Sequence, residues 1–149
     1  MKGSPPLLNQ LDLVVRDMDA TLRFYRLLGL EIPESAVWRT ASGAHHTDVT
    51  LPNGFHLHFD SIALTKSYDS GWREMPASGT RDVIGFSMPS REEVDERFAE
   101  LVAAGYAGAQ PPYDAFWGAR YAIVEDPDGI AVGLMSPISA KHRAPPPEV

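Results

Sequence analysis

The chain has 149 residues, 44% of them hydrophobic and 22% charged, a size and balance that support one domain or two halves sharing a core and exclude a disordered or fibrous protein. The absence of cysteine excludes disulfide staples, thiolate metal sites and cysteine nucleophiles, and fits a reducing compartment, so a cytoplasmic location is expected. A net charge of −7 with scattered basic residues argues against nucleic acid as a partner, and with no export signal and no run of membrane-spanning length a membrane is not an expected partner either.

Leu11, Leu13 and Val15 recur at every second position, the pattern of a strand with one buried face. Asp17 and Asp19 then offer capping carboxylates, and from Ala20 the spacing becomes helical. Leu22, Tyr25, Leu27 and Leu28 share a stripe that Gly29 ends. Three stretches rich in β-formers follow, Leu30 to Trp38, His45 to Leu51 and Phe55 to Ser61, the last two joined by the turn residues Pro52-Asn53-Gly54. The first half thus reads strand, helix and three strands. Thr65 to Thr80 is polar and glycine-bearing, which suggests a linker crossing a pocket mouth, with Trp72 as a lid residue.

The pattern then repeats. Val83 to Met88 reads as a strand, and Ser90 with Glu93 spells a capping box ahead of the stripe Val94, Phe98 and Leu101, which Gly105 terminates. Tyr106 to Ala109 reads as a short strand. Tyr121 to Glu125 and Ile130 to Met135 form a hairpin across Asp126-Pro127-Asp128-Gly129. A repeat of half the chain implies two sheet faces that neither half covers alone. The expectation is one α+β domain over residues 1–139, in which two βαβββ modules pair mixed sheets into a cupped, half-barrel-like pocket. Module one falls at about 8–62, a linker or lid at about 63–80, module two at about 81–137, and a flexible tail at 140–149.

Leu13-Val14-Val15-Arg16-Asp17-Met18-Asp19 and Phe24-Tyr25-Arg26-Leu27-Leu28-Gly29-Leu30 resemble the opening of the vicinal oxygen chelate superfamily, and Glu125-Asp126-Pro127-Asp128-Gly129 resembles its closing hairpin. The resemblance runs to about Pro137. It implies the glyoxalase/bleomycin resistance/dioxygenase fold, shared by glyoxalase I, ring-cleaving dioxygenases, fosfomycin-modifying enzymes and bleomycin-binding resistance proteins. It also implies a homodimer, since members often build pockets across modules of two chains. The superfamily's metal enzymes place ligands at four strand positions, which carry over to Gln10, His58, Val83 and Gly133. Val83 and Gly133 have no side-chain donor, whereas a first-row metal needs three or four protein ligands. No metal is expected at these four positions and no other cofactor. A divalent metal enters only under an alternative reading.

If the apolar sets Leu11/Leu13/Val15, Val49/Leu51 and Leu57/Phe59 face the helices, the residues between them share the other face: Gln10, Asp12, His46, Asp48, Thr50, His56, His58 and Asp60. Simple pairing across the turn sets Asp48 beside His58 and Thr50 beside His56. Such a face is open to three readings. Its side chains bond to one another and to water, or they are polar anchors in a ligand cleft. The third reading is catalytic: His58 acts as a base oriented by Asp48, or His56 and His58 join Asp48 or Gln10 in a shifted metal site.

The second half offers small or apolar side chains where the first is polar, namely Val83, Gly85, Ser87, Ala131, Gly133 and Met135. Tyr113, Phe116 and Trp117, on a loop from Pro111 to Gly118, add flat area for stacking on a planar ligand, or else pack locally or at a dimer contact. Arg120 and Arg73 are able to pair with a ligand carboxylate. The expected function is a small-molecule binding protein of the glyoxalase/bleomycin-resistance type that sequesters a planar or aromatic compound. Its expected ligand-binding residues are Gln10, Asp12, His56, His58, Trp72, Tyr113, Phe116, Trp117 and Arg120. The alternative is a metal-dependent lyase, isomerase or dioxygenase at the shifted site, with His58 and Asp48 as catalytic candidates.

Overall fold

The two spacings read in the sequence become strands and helices in the same order in the computed structural model, which describes residues 6–74 and 82–147. The chain divides into two units, Met1–Glu74 and Met75–Val149. In the first, β1 (Gln10–Val15), β2 (Trp38–Arg39), β3 (His45–Thr50) and β4 (His56–Ser61) form a mixed sheet ordered β1-β4-β3-β2, with β1 parallel to β4. Leu13, Val15, Leu57 and Phe59 are buried, as are Leu22, Phe24, Tyr25 and Leu28 of α1 (Met18–Leu28). Each such side chain is worth about 1.5–3 kcal/mol when fully removed from water.

Asp17 starts α1 by accepting from the Ala20 N–H at 2.9 Å. Gly29 ends it at φ +120°, a left-handed conformation that lets the Gly29 and Leu30 N–H groups reach back to Arg26 and Tyr25. Leu11, expected with the buried set, lies near the start of an edge strand and stays exposed.

Two expectations for this unit are corrected. Leu30 to Trp38 is mostly not a strand: a 3-10 turn spans Glu34–Ala36, and only Trp38 and Arg39 pair with β3. Pro33 has no N–H for a ladder and its fixed φ suits a turn. Arg39 then ties the turn down through Asp19 (2.6 Å) and Glu34 (3.1 Å), and its guanidinium holds both carboxyls below their ordinary pKa. The expected linker begins instead as a helix, α2 (Ile62–Tyr68). Ser61 caps it, accepting from the Leu64 N–H, and the buried Thr65 hydroxyl donates back to the Ser61 carbonyl at 3.1 Å. Residues 75–80 of that expected linker lie outside the described residues.

In the second unit, β5 (Val83–Ser87), β6 (Gly108–Asp114), β7 (Arg120–Glu125) and β8 (Ala131–Met135) form a sheet ordered β5-β8-β7-β6, with β5 parallel to β8. Ala122, Val124, Val132 and Leu134 are buried, as are Val94 and Leu101 of α3 (Arg91–Ala103). Ser90 caps α3 by accepting from the Glu93 N–H at 3.1 Å. The strand expected at Tyr106 to Ala109 starts later and runs further, so Pro111, Pro112 and Tyr113 lie on an edge strand instead of a loop. Register shifts absorb the prolines.

The expected flexible tail is corrected over residues 140–144. Ala140–His142 is a 3-10 turn, Arg143 bridges to Trp117, and the Ala144 N–H donates to the Phe116 carbonyl at 2.9 Å. Backbone pairing holds a segment that composition alone leaves free. No helix among the described residues is long and apolar enough to cross a membrane.

Candidate functional site

The register of the first sheet is the one the turn predicts. Across β3 and β4, Asp48 pairs with His58, Thr50 with His56 and His46 with Asp60; across β1 and β4, Gln10 pairs with His56 and Asp12 with His58. Since side chains on a strand alternate, these residues share the face opposite Phe59 and Leu57. The rings of His46 and His58 are 5.6 Å apart between centroids, and those of His56 and His58 6.2 Å.

A hydrogen-bonded chain runs into this face from below. Tyr68 of α2 donates to Asp60 Oδ2 at 2.7 Å, and Asp60 Oδ1 lies 2.5 Å from His46 Nδ1. His46 Nε2 lies 3.6 Å from Asp48 Oδ1. Asp60 is 4% exposed, so its carboxylate depends on these two donors. Burial holds the Tyr68 hydroxyl above its ordinary pKa, with the Asp60 carboxylate adding to the effect, so it remains a donor. Tyr68 was missed in the sequence because it fell in the expected linker. Its signal was Ser61 as a helix cap, with Thr65 and Tyr68 at helical spacing behind it.

Asp48, His56 and His58 each present one potential ligand atom, and these atoms lie within 4.8 Å of one another. His56 Nδ1 is 3.2 Å from the Thr50 hydroxyl, and His58 Nδ1 is 3.7 Å from Asp12 Oδ1. Gln10 donates to Asp12 Oδ1 at 3.3 Å. The histidines of this face come together with Asp12, Asp48 and Thr50, as the alternation and the turn predict.

The four usual metal positions fare differently. Gln10 and His58 carry donors, Val83 is an exposed aliphatic, and Gly133 is covered by a tyrosine: a Cβ at Gly133 would lie 2.7 Å from the Tyr121 hydroxyl oxygen and 3.2 Å from its ring. A carboxylate-bearing side chain has no room there unless Tyr121 moves. The residues present do not fit a metal at these four positions.

Gly85 and Gly133 pair across β5 and β8, so two neighbouring strands carry no side chain in that row. Tyr121 borders the row and packs edge-on against Trp117 (5.4 Å) and Tyr113 (6.3 Å), while Phe116 packs on Trp117 (5.2 Å). Burial holds the Tyr121 hydroxyl above its ordinary pKa, with Tyr113 contributing. The sequence reading missed Tyr121, although alternation placed it on the same face as Gly133. The other predicted residues are partly engaged elsewhere. Arg120 is bound by Asp95 (2.8 Å) and Asp114 (3.2 Å), Arg73 by backbone carbonyls, and the Trp72 ring lies under Lys66 at 5.4 Å. A cavity of about 380 Å³ opens at the Ser61 end of β4, lined by Arg16, Asp19, His45 and Ser61 among others, away from His56 and His58 at the strand's start.

A family model described as Glyoxalase/Bleomycin resistance protein/Dioxygenase superfamily matches residues 7–134. No curated protein matches the chain in sequence. Among solved structures, a glyoxalase/bleomycin resistance protein/dioxygenase from Nocardioides is similar at 24% identity and TM-score 0.69, covering 99% of this chain and 92% of the other. One from Burkholderia phytofirmans is 21% identical, with TM-score 0.69, covering 87% and 97%. A fosfomycin resistance protein from Listeria monocytogenes, solved as a mutant with Mn(II) and a dihydroxypropylphosphonic acid, is 17% identical, with TM-score 0.62, covering 91% and 94%. At these identities the structural likeness speaks for the fold.

Proposed function

Because the chain belongs to the Glyoxalase/Bleomycin resistance protein/Dioxygenase superfamily, we propose that it is a small-molecule binding protein that sequesters a planar or aromatic compound, without a metal at the family's four usual positions. One observation carries this reading. Where a ligand-bearing side chain would stand, the second sheet instead has the glycine row of Gly85 and Gly133 with the Tyr121 ring beside it. Tyr121 fills the row over Gly133, while over Gly85 a Cβ would meet nothing within 4 Å, so a flat ring has room to approach the backbone at Gly85 with an aromatic border for edge-to-face or stacked contact. Tyr113, Phe116 and Trp117 extend that border. Within the first unit, Gln10, Asp12, His56 and His58 form a polar face of their own that offers hydrogen bonds to a small molecule.

Binding to the folded state raises the melting temperature by mass action. A thermal-shift panel of planar aromatic compounds is expected to give hits whose affinity falls at least tenfold in Tyr121→Ala. A melting temperature unmoved by the whole panel, with a dicarbonyl or catechol consumed on incubation, would sink the idea. The same reading includes a homodimer in the cytoplasm. Light scattering on the purified chain checks the oligomeric state.

The second reading, a lyase, isomerase or dioxygenase that uses a metal, is favoured by the grouping of Asp48, His56 and His58. Turnover retained in the chelator-stripped chain, or in His58→Ala, would count against it.

A further inference from the structure

We propose that Asp48, His56 and His58 form a divalent-metal site contained within the first unit, with zinc or a similar first-row ion as its occupant and at least one coordination position left open. This site shares only His58 with the family's usual four positions, and it does not rest on the aromatic-ligand reading.

The geometry comes from the hairpin. His56 and His58 are two apart on β4 and project to one side, and Asp48 sits opposite His58 on β3. Their ligand atoms lie within 4.8 Å of one another. Ligands about 2.0–2.2 Å from a tetrahedral zinc stand roughly 3.4 Å apart, so closure needs a movement of roughly 1 Å, within reach of side-chain rotation. Two imidazoles and one carboxylate are borderline donors that suit zinc, cobalt, nickel or ferrous iron better than magnesium or calcium, and three protein ligands leave room for water or a bound molecule.

The surroundings supply what such a site requires. A ligating histidine normally has its other ring nitrogen held by an acceptor. Here Thr50 Oγ1 lies 3.2 Å from Nδ1 of His56 and Asp12 Oδ1 lies 3.7 Å from Nδ1 of His58, acceptors suited to hold those nitrogens when Nε2 ligates. His46, anchored from beneath by buried Asp60 and Tyr68, sits beside Asp48 and serves as a positioning residue for it. Asp12, Asp48 and Asp60 gather on this face beside His58 and His46. Three carboxylates on one face attract a cation.

The test uses the full chain, stripped with a chelator and dialysed, then titrated with zinc and with cobalt as a spectroscopic probe. One ion per chain is expected, with visible cobalt absorption of a low-coordinate nitrogen and oxygen site. His56→Ala and His58→Ala are each expected to weaken binding at least 100-fold, and His46→Ala about 10- to 100-fold through misplacement of Asp48. His45→Ala, on the opposite face of β3, is expected to change nothing. Circular dichroism confirms folding, and the two ligand histidines are read separately so that either one suffices. No retained ion, binding that survives both histidine substitutions, or an equal loss in His45→Ala overturns the site. Because metal alone is the probe, that failure leaves the aromatic-compound reading standing, and a flat aromatic panel leaves the metal site standing.

Discussion

Gly118→Ala is expected to lower the stability of the second unit by roughly 2–4 kcal/mol, from a left-handed backbone conformation and a steric clash at the same position. Gly118 has φ +100°, and a Cβ there would come 2.4 Å from the Ser139 carbonyl oxygen and 2.9 Å from Arg143 Cγ. The first contact is with backbone, so no rotamer change relieves it. The Ser139–Arg143 stretch must move, and with it go the Ser139 N–H bond to the Gly118 carbonyl and the bridge between Trp117 and Arg143. Gly85→Ala is the control, because its Cβ meets nothing within 4 Å, and a change within about 0.5 kcal/mol is expected. Urea unfolding of both variants is the measurement. Equal midpoints would mean that the C-terminal segment is not docked as described.

Phe59→Ala is expected to cost about 3–5 kcal/mol, the usual penalty for emptying a fully buried aromatic site. Phe59 is completely buried, with its ring 4.9 Å from that of Tyr25. Against a total stability of about 5–15 kcal/mol, this brings the chain near the edge of unfolding at physiological temperature. The neighbouring substitution His58→Ala, on the other face of the same strand and partly exposed, is expected to cost about 1 kcal/mol or less while weakening the proposed metal binding. Denaturant curves on the pair separate the two faces of β4. A Phe59→Ala curve that overlays the wild type would refute the assigned register, because a one-residue slip exchanges the faces.

The histidine site was legible in the sequence because its geometry is local. Alternation gives the face, and a short hairpin turn gives the register, so Asp48 against His58 followed from residues a few positions apart. The same logic failed where a proline or a weak helical signal intervened. Pro33 turned a β-rich stretch into a 3-10 turn, and Pro111 and Pro112 entered an edge strand that their chemistry argued against. The helix Ile62–Tyr68 carries several polar residues and no long apolar stripe, so only its cap at Ser61 and the spacing of Thr65 and Tyr68 marked it.

By itself the sequence determined the two βαβββ halves, the helix caps at Asp17 and Ser90, the buried alternation of each sheet and the gathering of His56, His58 and Asp48. Only the tertiary structure decided that Tyr121 covers Gly133, that Tyr68 reaches Asp60 beneath His46, that Arg120 is already paired, and that the tail is pinned at Arg143 and Ala144. The division has a physical reason. Strand alternation and capping are set by backbone geometry over a few residues, whereas which side chain fills a glycine row or neutralises an arginine depends on packing between segments far apart in the chain.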